Sequence, residues 1–179
     1  MKIYLDQKRS IDSYDQFGHQ HVSIDTIAGN LSRICRFNGA CGRFYSVAEH
    51  SILVSFLVDA NKAQRLPRAA LLHDAGEAYY GDIIRPIQDR LEGMRELRQI
   101  VDQAVESQFG LRDTIRNYQS EIDTADNLML MVECNVFFNT PLPNAKVFKT
   151  AYDELVSRIK YLTPEEAEKE YKLRFNDVQ

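Results

Sequence analysis

Apolar residues in this chain recur at three- and four-residue intervals, and nowhere do they alternate with polar ones for more than a few positions. The first spacing is that of one face of an α-helix, the second that of a strand, so the sequence predicts an all-α fold, a compact helical bundle. Ser23 opens the first pattern, with Ile24, Ile27, Leu31 and Ile34 on one face, and Asn38 and Gly39 end it. Ser46-Val47-Ala48-Glu49 has the form of a capping box, in which the Ser hydroxyl and the Glu carboxylate satisfy the free N–H groups of a first turn. It starts a helix running through Leu57 toward Asp59. Pro67 suits the first turn of a third helix, stopping near Gly76. Tyr79-Tyr80-Gly81-Asp82 reads as a turn, and Pro86 restarts the chain. Met94 to Phe109 is amphipathic, with Leu97, Ile100, Val101, Ala104 and Val105 inward and Gly110 as its stop. Glu121 to about Phe138 reads as a long apolar helix closed by Pro141-Leu142-Pro143. A helix from about Phe148 to Tyr161 follows, and Thr163-Pro164-Glu165-Glu166 gives a second capping box for a charged terminal helix.

A length of 179 residues fits one domain, expected to span 1–179 with its core at about 24–138 and C-terminal helices at 148–175. Hydrophobic residues make up 44%, enough for a packed core. A net charge of -4 argues against nucleic-acid polymers, which call for a basic face. No apolar run reaches the roughly 20 residues a membrane span needs, and the N-terminus carries no apolar signal core. Cys35, Cys41 and Cys134 are odd in number and form no CxxC pair, so they read as reduced thiols in a cytoplasmic protein.

The apolar run Ala69-Ala70-Leu71-Leu72 ends abruptly in His73-Asp74. A buried charge costs several kcal/mol unless it is paired or metal-bound. A lone His-Asp dipeptide is ordinarily a core histidine bonded to a carbonyl beside an aspartate paired with an arginine. Here it has company: His50 in an apolar helix upstream and Asp126 in the apolar helix Ile122–Met131 downstream. Two imidazoles and two carboxylates from three helices suit a borderline divalent ion (manganese, cobalt, iron or zinc) better than calcium.

The segments Ser46–Ser51 (SVAEHS), Leu71–Glu77 (LLHDAGE), Tyr80–Pro86 (YGDIIRP) and Ile122–Leu128 (IDTADNL) resemble the HD-domain metal-dependent phosphohydrolase superfamily. Within it they are similar to the bacterial 5′-deoxynucleotidases and the phage-encoded HD hydrolases, some of which are dATP triphosphohydrolases. The likeness covers roughly Ile24 to Phe138. It implies that His50, His73, Asp74 and Asp126 are the metal ligands. It implies an acid/base role for Glu77, and a phosphate- and nucleoside-binding role for the pair Arg36-Phe37. Asp82 would lie near the sugar. The substrate would be a nucleotide, most simply a 2′-deoxynucleotide such as dATP or dAMP, in a cytoplasmic homo-oligomer (in the host cytoplasm if phage-encoded). One departure is visible: the deoxynucleotidases often carry a Lys soon after the Pro of the GD…P segment, where this chain has Gln88.

Each residue also has a plainer reading: Glu77 as a solvated helix-end charge, Arg36 as a surface cation, Asp82 as the cap of the following turn. Arg33, Arg43 and Arg85 are further candidates for a phosphate patch, Tyr79 and Tyr80 for pocket walls. Glu133, two turns after Asp126, can support the site or form a structural ion pair, the second being expected. The chain has four histidines, and the two left over, His19 and His21, lie in the N-terminal segment, so a single metal ion is expected. Two other functions compete: hydrolysis of the alarmone (p)ppGpp, and a non-catalytic metal-bound nucleotide sensor.

Overall fold

The computed structural model describes residues 2–142 and 149–178. Among these the chain forms nine α-helices and one minimal hairpin, strand β1 (Ile3–Tyr4) antiparallel to β2 (Ser10–Ile11). The fold is all-α, as expected. The helices are α1 (Ile24–Leu31), α2 (Val47–Leu57), α3 (Leu66–Leu71), α4 (Glu77–Tyr80), α5 (Arg85–Gln88), α6 (Met94–Phe109), α7 (Arg112–Phe138), α8 (Lys149–Arg158) and α9 (Pro164–Asp177).

Helix α2 is apolar all the way round, so it must be enclosed. It is packed by α3, α7 and α9, and Val47, Ala48 and Val54 are wholly buried. Helix α6 has one apolar stripe, and lays Val101, Ala104 and Val105 on the core. Helix α1 packs on α9 and α4. No helix among the described residues is long and apolar enough to cross a membrane.

Several boundaries differ from the sequence expectation. Helix α1 ends at Leu31, not at Asn38. The chain beyond it pairs instead with the entry to α2: Arg36 N–H donates to the Tyr45 carbonyl at 2.9 Å and Val47 N–H to that of Ile34 at 3.0 Å. The expected turn at Tyr79–Asp82 is helical through Tyr80, because nothing interrupts it before Gly81, whose φ of 88° lies in the left-handed region. Helix α7 starts at Arg112 rather than Glu121. Its first turns are polar outward, yet Leu111, Ile115, Tyr118 and Ile122 keep the helical spacing on the inner face. Gly110 does close α6, in the left-handed conformation. Pro143 and Phe148, expected to end one helix and begin the next, lie outside the described residues.

The two capping boxes differ. Thr163 and Glu166 bond reciprocally, with the Thr163 N–H 2.8 Å from Glu166 Oε2 and the Glu166 N–H 3.3 Å from Thr163 Oγ1. At α2 only half the box forms. The Ser46 hydroxyl accepts the Glu49 N–H at 3.1 Å, but the buried Glu49 carboxylate turns away. It accepts the N–H groups of Lys160 at 2.6 Å, Tyr161 at 3.0 Å and Leu162 at 2.9 Å. Those bonds turn the chain between α8 and α9, with Tyr161 at φ 56°, and α8 stops at Arg158 instead of running to Tyr161.

Candidate metal centre

The four expected ligands meet where α2, the end of α3 and the middle of α7 face one another. Nε2 of His50 lies 3.1 Å from Asp126 Oδ1 and 3.8 Å from Asp74 Oδ2. Nε2 of His73 lies 3.1 Å from Asp74 Oδ2 and 3.7 Å from Asp126 Oδ1. The ligand atoms of His50, His73 and Asp74 all fall within 4.8 Å of one another, a group able to hold a metal ion. Donors bound to one ion at about 2.0–2.2 Å stand roughly 3–3.5 Å apart, and most of these separations fall close to that range.

The other face of each imidazole fixes its tautomer. His73 Nδ1 is 2.8 Å from the Ala70 carbonyl, which can only accept, so Nδ1 carries the hydrogen. In the neutral ring Nε2 then presents a lone pair to carboxylates, with Asp74 Oδ2 3.1 Å away, and meets no donor. An unpartnered buried acceptor costs about 1–3 kcal/mol. A cation among the four ligands would remove that cost, so the residues present fit a metal ion.

The electrostatics point the same way. Burial raises the pKa of Asp74, but His73 above all, then His50 and Arg36, hold it well below the usual carboxylate range. Asp126 is likewise held low, against its burial, by His50 and His73. Burial opposes charge on His73, yet Asp74 and Asp126 outweigh it and its pKa lies well above the ordinary value. Two carboxylates drawing charge onto an imidazole mark a site short of positive charge.

Behind His50 stands Glu133, wholly buried. Its Oε1 is 2.7 Å from both His50 Nδ1 and the Tyr45 hydroxyl, and its Oε2 accepts from Arg36 Nε at 3.2 Å and Nη2 at 3.0 Å. A carboxylate behind a ligating histidine orients the ring and raises its basicity. Glu133 is therefore the ion-pair partner expected of it, and it also holds the His50 ring. The seven-residue step from Asp126 places it on the same face of α7, and that spacing was its only sequence signal.

Arg36 is not a surface cation. It is buried, with two of its three guanidinium nitrogens committed to Glu133 and Nη1 3.7 Å from Asp74. The fork expected to grip a phosphate is thus occupied by protein. Phe37 follows at φ 55° and Asn38 at φ 52°, a conformation uncommon outside glycine. This turn places the Arg36 guanidinium 5.3 Å from the centre of the Phe37 ring, which meets Phe137 and Phe138 edge-on.

Glu77 opens α4 one turn beyond Asp74. Its Oε2 is buried without a partner. That burial excludes the solvated helix-end reading, and burial first, then Asp74 and Asp82, push its pKa well above the usual carboxylate value. Asp82 is half-buried after Gly81, and burial raises its pKa too. No backbone N–H of the following turn bonds to it, so the capping reading has no bond behind it; Ile87 N–H goes to Ile84 O at 2.9 Å.

Of the remaining candidates, Arg33 pairs with Glu168 at 2.9 Å and Arg43 stacks over Tyr161 at 5.0 Å, and neither forms an ion pair with a carboxylate of the centre. Tyr79 is buried against Phe17, with ring centres 4.9 Å apart. His21 Nδ1 accepts the Gly18 N–H at 3.2 Å within the N-terminal segment. The three cysteines are free, with Cys35 and Cys41 sulfurs 3.9 Å apart.

No family model matches the chain. Among curated proteins, uncharacterized protein YfdR of Escherichia coli strain K12 is 36% identical over 120 residues, 67% of this chain and 64% of its own length. An uncharacterized protein of Rhodobacter capsulatus is 41% identical over 96 residues, 50% of this chain and 49% of its own. The chain therefore spans less than two thirds of either relative. Neither name states an activity.

Proposed function

We propose that this chain is an HD-type, metal-dependent phosphohydrolase that removes the 5′-phosphate or triphosphate group from nucleotides, with 2′-deoxynucleotides preferred. One observation carries the reading: two imidazoles and two carboxylates converge, with His73 Nε2 buried among the carboxylates, one helical turn from Glu77, whose Oε2 is buried without a partner. His50, His73, Asp74 and Asp126 would hold one ion. Their mixed nitrogen and oxygen donors favour manganese, cobalt, zinc or iron, and His19 and His21 supply no second set. When bound, such an ion polarises a phosphoryl oxygen and lowers the pKa of a coordinated water toward 7.

The chain's own residues do the rest. Glu77 sits where a carboxyl group can order a water or hand a proton to the leaving oxygen, and the burial that lifts its pKa favours the proton-holding form. Glu133 holds the hydrogen of His50 Nδ1, which directs Nε2 toward Asp126 and the centre. Phe37 offers an aromatic ring next to the Arg36 guanidinium, and Asp82 a carboxylate able to accept from a 3′-hydroxyl. Close packing of the sugar around that bond would disfavour a 2′-hydroxyl.

The test is a chromatographic screen with Mn²⁺, Co²⁺ and Zn²⁺ against mono-, di- and triphosphates of both sugars, with (p)ppGpp included. Release of phosphate or triphosphate from deoxynucleotides supports the reading. Turnover of (p)ppGpp alone would assign the site to alarmone hydrolysis, and tight nucleotide binding with no product would make it a sensor.

A further inference from the structure

Positive charge is the scarce quantity around this centre. Asp74, Glu77, Asp82, Asp126 and Glu133 face it or stand directly behind it, and an incoming phosphate adds more negative charge. Four arginines are candidates to meet that phosphate, and three of them have other partners. Arg36 is buried on Glu133, Arg33 is paired with Glu168, and Arg43 lies on Tyr161. Arg85 is different. Its side chain is 76% exposed, yet Nη2 lies 3.8 Å from Asp126 Oδ2. Oδ1 of the same carboxylate faces the two imidazoles. The guanidinium thus stands at the open rim of the centre, and among the described residues it makes no hydrogen bond.

The segment that carries Arg85 is held in place. Gly81 turns the chain out of α4, and Arg85 opens α5 beside Pro86. Gln88 Nε2 donates to the Ile83 carbonyl, and Gln88 Oε1 accepts from Arg98 Nη1 of α6 at 2.8 Å. Gln88 carries no charge for a phosphate to meet. Its amide instead closes the turn from which Arg85 projects, and Arg98 ties that turn to the bundle.

We infer that Arg85 is the substrate-binding cation of this site, its guanidinium gripping the phosphate while Arg36 positions Asp74 and Glu133 from behind. The inference rests on the phosphohydrolase reading for the identity of the substrate, though not for the contact with phosphate. A planar fork with free donors suits two phosphate oxygens at once. Being exposed, it can swing from Asp126 to the ligand without leaving a buried group unpaired.

The experiment uses the metal-loaded full chain and two readouts. Calorimetry measures the affinity for inorganic phosphate, and steady-state kinetics measures KM and kcat on the best nucleotide. Arg85→Ala is expected to weaken phosphate binding and raise KM by roughly ten- to a hundredfold, the scale of losing a charge-assisted pair of bonds. Metal content by elemental analysis should stay at the wild-type level. Arg85→Lys should recover part of the loss, because it keeps the charge but not the fork. Unchanged phosphate affinity and KM in Arg85→Ala would overturn the inference, as would loss of the metal, which would make Arg85 a support for Asp126. If the wild type hydrolyses no nucleotide, the phosphohydrolase reading fails while the phosphate titration still decides the role of Arg85. Absence of phosphate binding by the loaded wild type counts against it outright.

Discussion

Glu133→Gln is the most informative single perturbation, because one buried carboxylate accepts from four donors: Arg36 Nε and Nη2, the Tyr45 hydroxyl and His50 Nδ1. Gln keeps the shape and one oxygen, but replaces the other with an amide that can only donate. Turned toward Arg36, the amide faces two guanidinium N–H groups; turned the other way, it faces His50 Nδ1–H and a Tyr45 hydroxyl that must rotate to accept; either way the guanidinium loses its counter-charge at a wholly buried position. Breaking one side of a buried ion pair costs about 3–5 kcal/mol. Each stranded neutral donor adds about 1–3 kcal/mol, although the terms overlap in one network. A loss of about 3–5 kcal/mol is the expected outcome. At roughly 2–4 °C per kcal/mol for a chain of this size, the midpoint should fall by about 6–20 °C. Urea unfolding in chelator measures the loss without a metal contribution. Because His50 also loses its orienting partner, affinity for Zn²⁺ or Mn²⁺ should fall about 10- to 100-fold. A variant within about 1 kcal/mol of wild type, with unchanged metal affinity, would refute both the ion-pair and the orientation arguments.

Other outcomes follow from the same geometry. His73→Ala or Asp74→Ala should remove the metal and abolish turnover; stoichiometric metal by elemental analysis in either variant would break the ligand assignment. Glu77→Gln should keep its metal and lose roughly two or more powers of ten in kcat; metal loss would make it a ligand. Asp82→Asn should narrow the gap in kcat/KM between deoxy- and ribonucleotides, and equal wild-type rates on both sugars would end the sugar-reading role. Burial, opposed by Arg98, lifts the Asp102 carboxyl from 3.8 to about 6, so between those values the folded chain binds more protons than the unfolded one. Its contribution to stability is therefore full below pH of about 4 and lost as pH rises through 6. Asp102→Asn should gain about 2–3 kcal/mol relative to wild type on going from pH 4 to 7, and parallel unfolding curves at the two pH values would count against it.

What the sequence alone decided is local. Ser23, Ser46 and Thr163 cap helices because a short hydroxyl reaches N–H groups two or three residues on, and Gly110 ends α6 because glycine tolerates a left-handed backbone. The candidate ligands His50, His73, Asp74 and Asp126 were legible as polar groups set into apolar helices, since burial needs a partner. The tertiary structure decided everything that depends on contacts distant in sequence. Glu49 reads as half of a box with Ser46, but packing of α2 against the turn after α8 offers it three N–H groups more than a hundred residues away. Arg36 reads as a free cation, but closure of α7 over its turn brings Glu133 to it across 97 residues. Arg85, one arginine among several in the sequence, differs from the others only because the turn held by Gln88 and Arg98 aims it at Asp126. Hydrogen bonds within a turn are fixed by neighbouring residues, whereas which charge meets which across the core is fixed by how the helices pack.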